Sequence, residues 1–114
     1  MPVNTVKGSI AAGQSLSPVI NCSAGKIIQI NTPKNGWDPA NITFQVSPDG
    51  VTFNDFYLAE GGEVMLGCQP NRAIAVRPQN WPAGRYLKVR SGSAAFPIVQ
   101  SAAREFEFVV DTQL

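Results

Sequence analysis

Apolar and polar residues alternate with a period of two along most of this chain, and short turn sequences interrupt the alternation. In the segment 42–47, Ile42, Phe44 and Val46 fall on one face of an extended strand, and polar residues separate them. Because successive side chains of a β-strand point to opposite faces, this pattern predicts a strand with one buried face. Apolar residues at the three-and-four spacing of an amphipathic helix do not recur over any long window. The sequence therefore predicts an all-β protein.

The same alternation predicts several further strands. Turn sequences rich in Gly, Pro and Asn separate them, since Gly and Asn adopt positive φ and Pro fixes φ. About eight or nine short antiparallel strands joined in this way are typical of a β-sandwich, and we expect a jelly-roll-like one. The predicted strands cover 6–10, 16–22, 26–30, 42–47, 64–68, 72–77, 86–90 and 105–111, with a β-bulge within 51–58 and an extended loop at 94–103.

The chain is long enough for one domain but not for two. Its 114 residues are 44% hydrophobic and only 15% charged, which supports a buried core and differs from the composition of disordered proteins. We therefore expect residues 1–114 to form a single β-sandwich domain with short extended termini. The segment 1–5 carries little apolar surface and the segment 111–114 follows directly after the last predicted core strand, so we expect both to become ordered only on a partner.

The balance of charges argues against nucleic acid as a partner. Nine Lys and Arg against eight Asp and Glu give a net charge of +1, which is too little to neutralise phosphates. No window approaches the roughly 18 apolar residues of a membrane span, and we expect neither a targeting segment nor membrane contact. We expect synthesis in a cytosol, where Cys22 and Cys68 stay free and buried, with a disulfide as the alternative.

Histidine is absent from the chain, which removes His-based acid–base catalysis, His-activated nucleophiles and His-ligated metals. Two pairs of carboxylates remain as candidates for chemistry. Glu60 and Glu63 flank a Gly-Gly pair that is typical of a hairpin tip. Glu105 and Glu107 alternate with inward phenylalanines and so belong to the outer face of a strand. We therefore predict no enzyme activity, no catalytic residue, no metal site and no cofactor.

The segment 47–53 resembles an Asp-box, the Ser-x-Asp-x-Gly-x-Thr-Trp hairpin of sialidase-type propellers, but is one residue shorter than that pattern. We expect Asp49 to accept hydrogen bonds from turn amides while Phe53 packs inward, which is a structural role. Contact with calcium or a sugar is the alternative role for this carboxylate. Five arginines lie near strand ends, where we expect a solvated face or a protein interface: Arg72, Arg77, Arg85, Arg90 and Arg104.

Two tryptophans lie in Pro-containing loops, Trp37 in the segment 35–39 and Trp81 in the segment 79–82. Aromatic side chains exposed on loops mark contacts with sugars or proteins. The alternative is that each ring closes an open end of the sandwich and shields the core from water. Further apolar residues lie in the loop at 94–100, and we predict one partner interface formed by Trp37, Trp81, Phe96, Pro97 and Ile98.

Four stretches of the chain, 13–17, 42–53, 86–92 and 97–104, together resemble small structural proteins encoded among the virion genes of tailed bacteriophages and prophages. Ser93 stands where the resemblance leads us to expect a threonine. The resemblance brings no catalytic pattern with it, because its motifs are strands and turns. It implies a building block of the virus particle.

Among such proteins, a sandwich of this size with almost no net charge is similar to capsid decoration or cement proteins, which bind the outside of the expanded head shell. The resemblance implies a virion protein assembled in the host cytoplasm, with the major capsid protein or another virion structural protein as its partner. We also expect a homo-oligomer, and a trimer in particular, because decoration proteins tend to occupy local threefold positions. A carbohydrate-binding or fibre module using Trp37 or Trp81 is one alternative, and a neck or tail component is another.

Overall fold

Eight β-strands form the regular structure of the described residues, which are 2–78, 81 and 85–113 of the computed structural model. These residues contain no α-helix, and so none that is long and apolar enough to cross a membrane. The strands in chain order are β1 (Val3–Ile10), β2 (Ile20–Cys22), β3 (Lys26–Asn31), β4 (Ile42–Ser47), β5 (Asn54–Asp55), β6 (Ala73–Ala75), β7 (Arg85–Ser91) and β8 (Arg104–Asp111).

The strands form two four-stranded sheets that share one apolar core. Sheet A has the strand order β1-β8-β3-β6, and sheet B has the order β2-β7-β4-β5. All neighbouring strands in both sheets run antiparallel. Side chains from both sheets contribute to the same buried cluster. The predicted all-β sandwich is therefore confirmed.

The pairing of the strands is nested from the two ends of the chain towards its middle. The first strand pairs with the last, β2 with β7, β3 with β6, and β4 with β5. Two further pairings, β3 with β8 and β4 with β7, join these ribbons into the two sheets. The chain thus runs as a long double-stranded ribbon that folds over on itself, with β7 and β8 in the interior of their sheets.

Alternating burial on the interior strands explains how the sequence builds the core. On β8, Phe106, Phe108 and Val110 are fully buried, whereas the residues between them are more exposed. On β7, Leu87 and Val89 are fully buried in the same way. Burying a side chain of this size contributes about 1.5–3 kcal/mol, so these two strands supply much of the stability. Other fully buried apolar residues of the core are Ile10, Cys22, Ile30, Ile42 and Phe44.

Several predicted strands are shorter than the sequence pattern indicates. The segment 64–68 forms only an isolated bridge between Leu66 and Ile42, and 16–22 forms strand structure only from Ile20. The predicted bulge within 51–58 is also wrong, since only Asn54–Asp55 pairs there as a strand, and the register shift lies in β3. Alternation reports which face is buried, but a strand also needs a neighbour with free backbone groups.

The start of the chain also differs from the prediction. The sequence predicts that the residues up to Thr5 form an extension without a partner in the fold. Instead, β1 begins at Val3, and Val3 to Thr5 pair with Asp111 to Val109 of β8. Backbone hydrogen bonds to β8 order this segment, and they do not depend on its small apolar surface.

Cys22 and Cys68 are both free and buried, as predicted. Burial raises the pKa of each thiol from 9.0 to about 12. The thiolate is the reactive form of cysteine, so both groups are protected from alkylation in the folded protein.

We predict that neither thiol reacts with a thiol-specific reagent at mildly alkaline pH until the protein unfolds, after which both react. The number of reacting thiols in folded and urea-unfolded samples measures this directly. A reductant should change neither the count nor the midpoint of thermal unfolding. A mobility on non-reducing gels that differs from that of the reduced protein would contradict the prediction. So would fast reaction of the folded protein with the thiol reagent.

Candidate partner-binding surface

The loop that follows β7 displays apolar side chains on an ordered backbone. The exposed fractions are 77% for Phe96, 41% for Ile98 and 60% for Val99. The Ile98 amide donates to the Ser91 carbonyl at 2.9 Å, and the Ser93 amide donates to the Phe96 carbonyl at 3.1 Å. Hydrogen bonds within the loop therefore fix its shape while Phe96 remains in solvent. We call residues 92–99 the apolar loop.

Gly92 sets the turn at which the apolar loop begins. Its φ is +90°, and a Cβ at this position would lie 2.5 Å from the Phe96 carbonyl oxygen and 2.7 Å from the Ile98 amide nitrogen. Both contacts are with backbone atoms, so they could not be relieved by turning a side chain. The close return of the loop onto its own start therefore requires glycine.

A shallow cavity of about 190 Å³ lies beside the apolar loop. Phe96 and Ile98 line one part of it, and Met65 lines another. Met65 is 43% exposed, so it extends the apolar surface beyond the loop. Asn41 and Ser93 supply polar groups at the same cavity. The arrangement is an apolar patch with a few polar groups around it, which is the usual composition of a contact surface.

A partly buried ion cluster supports the apolar loop. The Arg90 guanidinium donates from Nη1 to Asp55 at 3.0 Å and from Nη2 to Glu63 at 2.8 Å. Its Nε donates to the Thr43 hydroxyl at 3.0 Å. The Glu63 carboxylate also accepts the backbone N–H of Ala94 at 3.1 Å, which ties the loop to the cluster. The Arg90 side chain is buried and that of Glu63 is mostly buried, whereas that of Asp55 is partly exposed, so the contact between Arg90 and Glu63 is the shielded part of the cluster. Losing one buried partner is costly because it weakens the compensation of the charge that stays behind.

This cluster corrects the sequence-based interpretation of Arg90 and adds a contact to that of Glu63. The sequence predicts a solvated face or an interface for Arg90, but the residue is buried against Thr43, Asp55 and Glu63. Glu63 does lie beside a turn, since the Leu58 amide donates to the Gly62 carbonyl at 2.8 Å. The carboxylate, however, is directed to Arg90. No sequence spacing signals these contacts, because the partners are 27 and 35 residues from Arg90.

Trp37 is half-buried and has its own set of contacts. Its ring meets Phe106 edge-on at 5.5 Å between centroids, and its Nε1 donates to the Ala40 carbonyl at 2.9 Å. The indole therefore covers the edge of the core and has no free N–H for a sugar hydroxyl.

The residue after this tryptophan anchors the loop to the segment before β8. The Asp38 carboxylate accepts the Ser101 amide at 2.7 Å and an Arg104 Nη2 hydrogen at 2.9 Å. Hydrogen bonds from the Ser101 amide and hydroxyl, with a smaller effect of Arg104, lower the pKa of Asp38. The Gln100 side chain is buried beside this contact. Its Oε1 accepts a hydrogen bond from the Asp38 amide, and its Nε2 donates to the Asp38 carbonyl and to the Ser91 hydroxyl. Arg104 is therefore part of a structural contact within the chain, whereas the sequence predicts a solvated face or a protein interface for it.

Trp81 belongs to the core. It is 7% exposed, and its ring packs on Phe44 at 4.9 Å and on Phe56 at 5.1 Å between centroids. Of the two interpretations that the sequence left open, the structure favours shielding of the core for this residue. The neighbouring loop positions 79, 80 and 82–84 lie outside the described residues. Among the five residues of the predicted interface, the exposed ones are Phe96, Pro97 and Ile98.

The turn after β4 confirms the predicted role of Asp49. Its Oδ1 accepts hydrogen bonds from the amides of Val51 and Thr52 at 2.9 and 3.0 Å and from the Ser47 hydroxyl at 2.8 Å. Phe53 does not pack into the core as predicted, because it lies on the outer face of sheet B, where the Lys88 ammonium is 4.6 Å from its ring centroid. The turn is a structural element.

The described part of the chain holds no group of three or more His, Cys, Asp or Glu side chains arranged to bind a metal ion. In comparisons with known proteins, no family model, curated protein or solved structure matches this chain. Among the exposed apolar side chains of the described residues, Phe96, Ile98 and Val99 lie together on the hydrogen-bonded apolar loop.

We predict that two aromatic truncations change stability by very different amounts. Trp81→Ala removes a buried ring from the core and should lower the free energy of unfolding by about 3–5 kcal/mol. Phe96→Ala removes an exposed ring and should change it by less than about 0.5 kcal/mol. Urea denaturation of both variants, followed by tryptophan fluorescence or circular dichroism, measures the difference. Equal losses of stability would contradict the assignment of Trp81 to the core and Phe96 to the surface.

A second prediction concerns the acid stability that Asp49 provides. Hydrogen bonds from Thr52, then Val51 and Ser47, lower the pKa of Asp49 from 3.8 to about 2. A lowered pKa stabilises the folded state above pH 3.8, and this contribution is lost as the pH falls towards 2. Asp49→Asn keeps the acceptor oxygen and removes the charge. The variant should be less stable than the parent at neutral pH, and the difference should shrink below pH 3.8.

Urea midpoints measured over that pH range test this dependence. Glu60→Gln is the matched control, because it removes one negative charge from an exposed turn residue. A difference between the Asp49 variant and the parent that stays constant with pH would show that the charge has no part in the turn.

Proposed function

We propose that this chain is a non-enzymatic virion structural protein of a tailed phage, and specifically a decoration or cement protein that binds the outside of the head shell. The observation that carries the proposal is the apolar loop, in which Phe96, Ile98 and Val99 stay exposed on a hydrogen-bonded backbone. A monomer gains nothing from holding apolar side chains in water. Burying them against a partner removes apolar surface from water and lowers the free energy, which makes such residues candidate anchors.

The rigidity of the loop adds to this support. Gly92 and the Glu63 contact to Ala94 fix the loop before any partner is present. Binding then requires little ordering of the chain, so more of the contact free energy appears as affinity. A protein that binds only the assembled shell stabilises it by that affinity, and the effect is repeated at every lattice site.

The strand order supports the finer assignment of the fold as a jelly roll. In that architecture a double-stranded ribbon rolls into two sheets, and the orders β1-β8-β3-β6 and β2-β7-β4-β5 fit such a ribbon. Jelly rolls occur in viral capsid proteins and in lectins. The fold alone is therefore compatible with a particle protein and with a sugar-binding module.

A glycan-binding fibre module is the second candidate, and one feature of the cavity favours it. The exposed Phe96 ring lies beside the polar side chains of Asn41 and Ser93, an arrangement in which a sugar could stack and form hydrogen bonds. Trp81 does not contribute to this possibility because it is buried. Glycan binding that is lost in the Phe96→Ala variant would favour the module over the shell protein.

The proposal includes the major capsid protein as the partner and the virion as the location. It also includes self-association of the chain. The copy number of the chain in purified particles separates this proposal from a neck or tail component. A number close to that of the capsid subunits supports decoration, whereas a number typical of a single ring supports the neck or tail.

We predict that Phe96→Ala and Ile98→Ala reduce occupancy of the chain on purified particles of the encoding phage. Truncating a central anchor costs about 2 kcal/mol or more, which corresponds to roughly a thirtyfold loss of affinity. Val51→Ala is the matched control, because Val51 is 82% exposed on the turn after β4, away from the apolar loop. Densitometry of particle proteins on gels gives the occupancy.

Near-UV circular dichroism should show that all three variants are folded. Binding should weaken only modestly with added salt, because the anchors are apolar and the screening length of about 8 Å at physiological ionic strength acts on charges. The proposed surface would be contradicted if both loop variants occupied the particles fully, or if moderate salt released the parent protein from the particles.

A further inference from the structure

The two sheets end in four edge strands, and one of these differs from the rest. The edge strands β2, β5 and β6 contain only three, two and three residues. The fourth, β1, contains eight residues and pairs with β8 along its whole length. Among the described residues, no strand pairs with the other side of β1. Short edges are a common protection against unwanted pairing, and β1 lacks it.

The hydrogen bonds at the end of β1 show which backbone groups point outwards. The Thr112 amide donates to the Pro2 carbonyl, so the pair formed by these residues is hydrogen-bonded. Because hydrogen-bonded pairs alternate along an antiparallel ladder, the even-numbered residues of β1 bond to β8. The odd-numbered residues Val3, Thr5, Lys7 and Ser9 therefore direct their N–H and C=O groups away from the sheet. Each has one donor and one acceptor, so the open edge offers four of each.

The side chains of β1 leave this edge accessible and well shaped for pairing. Only Ile10 is fully buried, and most of the strand is exposed. The register with β8 is continuous from Val3 to Ile10, with no bulge to twist the edge away, and the strand contains no proline. Its one charged residue is Lys7. An extended edge of this kind is a template for the addition of another strand.

We propose that the occupant of this edge is β1 of a second copy of the chain, added antiparallel about a two-fold axis that passes beside Val6. Under such an axis the outward N–H and C=O groups of one β1 strand can bond those of the other, and every contact occurs twice. The two copies of sheet A would then form one continuous eight-stranded sheet, since each contributes four strands.

The pleat of the strand and the position of Lys7 select this register. Paired residues must lie on the same face, so the axis has to pass beside a residue and not between two residues. An axis beside Val6 pairs Val3 with Ser9 and Thr5 with Lys7 of the partner subunit, which uses all four outward residues. An axis beside Thr5 uses three of them, and an axis beside Lys7 places two ammonium groups opposite each other.

The proposal concerns self-association alone and does not depend on the virion assignment. It favours a two-fold dimer over the trimer expected from the sequence. The physical reason is that antiparallel addition of identical strands consumes both edges at once, which leaves no open β1 edge for a third copy. If the chain did not bind particles, the inferred dimer would be unaffected. If the chain did not dimerise, the proposed binding to the shell would be unaffected.

The test uses two substitutions at one exposed position. In the proposed register Thr5 faces Lys7 of the partner subunit, so Thr5→Lys sets like charges opposite each other and Thr5→Glu sets opposite charges there. Sedimentation velocity over a range of concentrations up to high micromolar should show a dimer for the parent. The dimer dissociation constants of the two variants should differ by roughly tenfold, with Thr5→Glu the tighter, because the pair occurs twice.

Cross-linking tests the register independently. Directly opposed residues at the two-fold axis are close enough for a disulfide, so Val6→Cys should form covalent dimers on mild oxidation. Ser9→Cys is the matched control, because its two copies lie at opposite ends of the paired strands. The native thiols are buried and do not interfere. A monomer or a trimer in solution, equal dimerisation of both Thr5 variants, or equal cross-linking at both cysteine positions would overturn the proposal.

Discussion

The structure depends on the pairing of the last strand with two strands from the first third of the chain. β8 bonds to β1 on one side and to β3 on the other, and its inward residues Phe106 and Phe108 are fully buried. Neither sheet A nor the core can form before these distant segments meet. Closing such long loops costs conformational entropy before any contact offsets it, so a fold of this topology is expected to form slowly and cooperatively.

The candidate partner-binding surface is built on this scaffold through charge and not through apolar packing. Arg90 lies on β7 with its side chain on the outer face of sheet B, where Asp55 and Glu63 cover it. Glu63 then holds the Ala94 amide at the start of the exposed segment. This chain of contacts lets the sandwich position Phe96 without burying it. An ion pair shielded from water, as between Arg90 and Glu63, adds little net stability compared with an apolar contact, but it fixes the geometry that a displayed loop requires.

The sequence predicts the interior strands well and the covered outer face poorly. Alternation places β3, β4, β7 and β8 within about one residue of their observed bounds. In β4, β7 and β8 one inward face determines the pattern, whereas the register shift in β3 separates its buried residues Ile27 and Ile30 by three positions. The same alternation places Arg90 on the outer face of sheet B, which is correct. It also predicts that Arg90 is exposed to solvent there, which is wrong because the residue is buried. The segment that covers it is distant in sequence and carries no periodic signal. Trp81 shows the converse, since a loop position suggests exposure although its ring completes the core.

The open edge of β1 and the apolar loop use different groups, and this separation has a consequence for binding. The edge offers backbone donors and acceptors of odd-numbered residues in β1, whereas the loop offers the side chains of Phe96 and Ile98. A two-fold dimer formed at the edge would carry two apolar loops on one rigid body. Each loop could then bind a repeating surface weakly, because the second contact follows at a high effective concentration. A small exposed patch is sufficient for firm attachment under that condition, and a single copy with the same patch would attach only weakly.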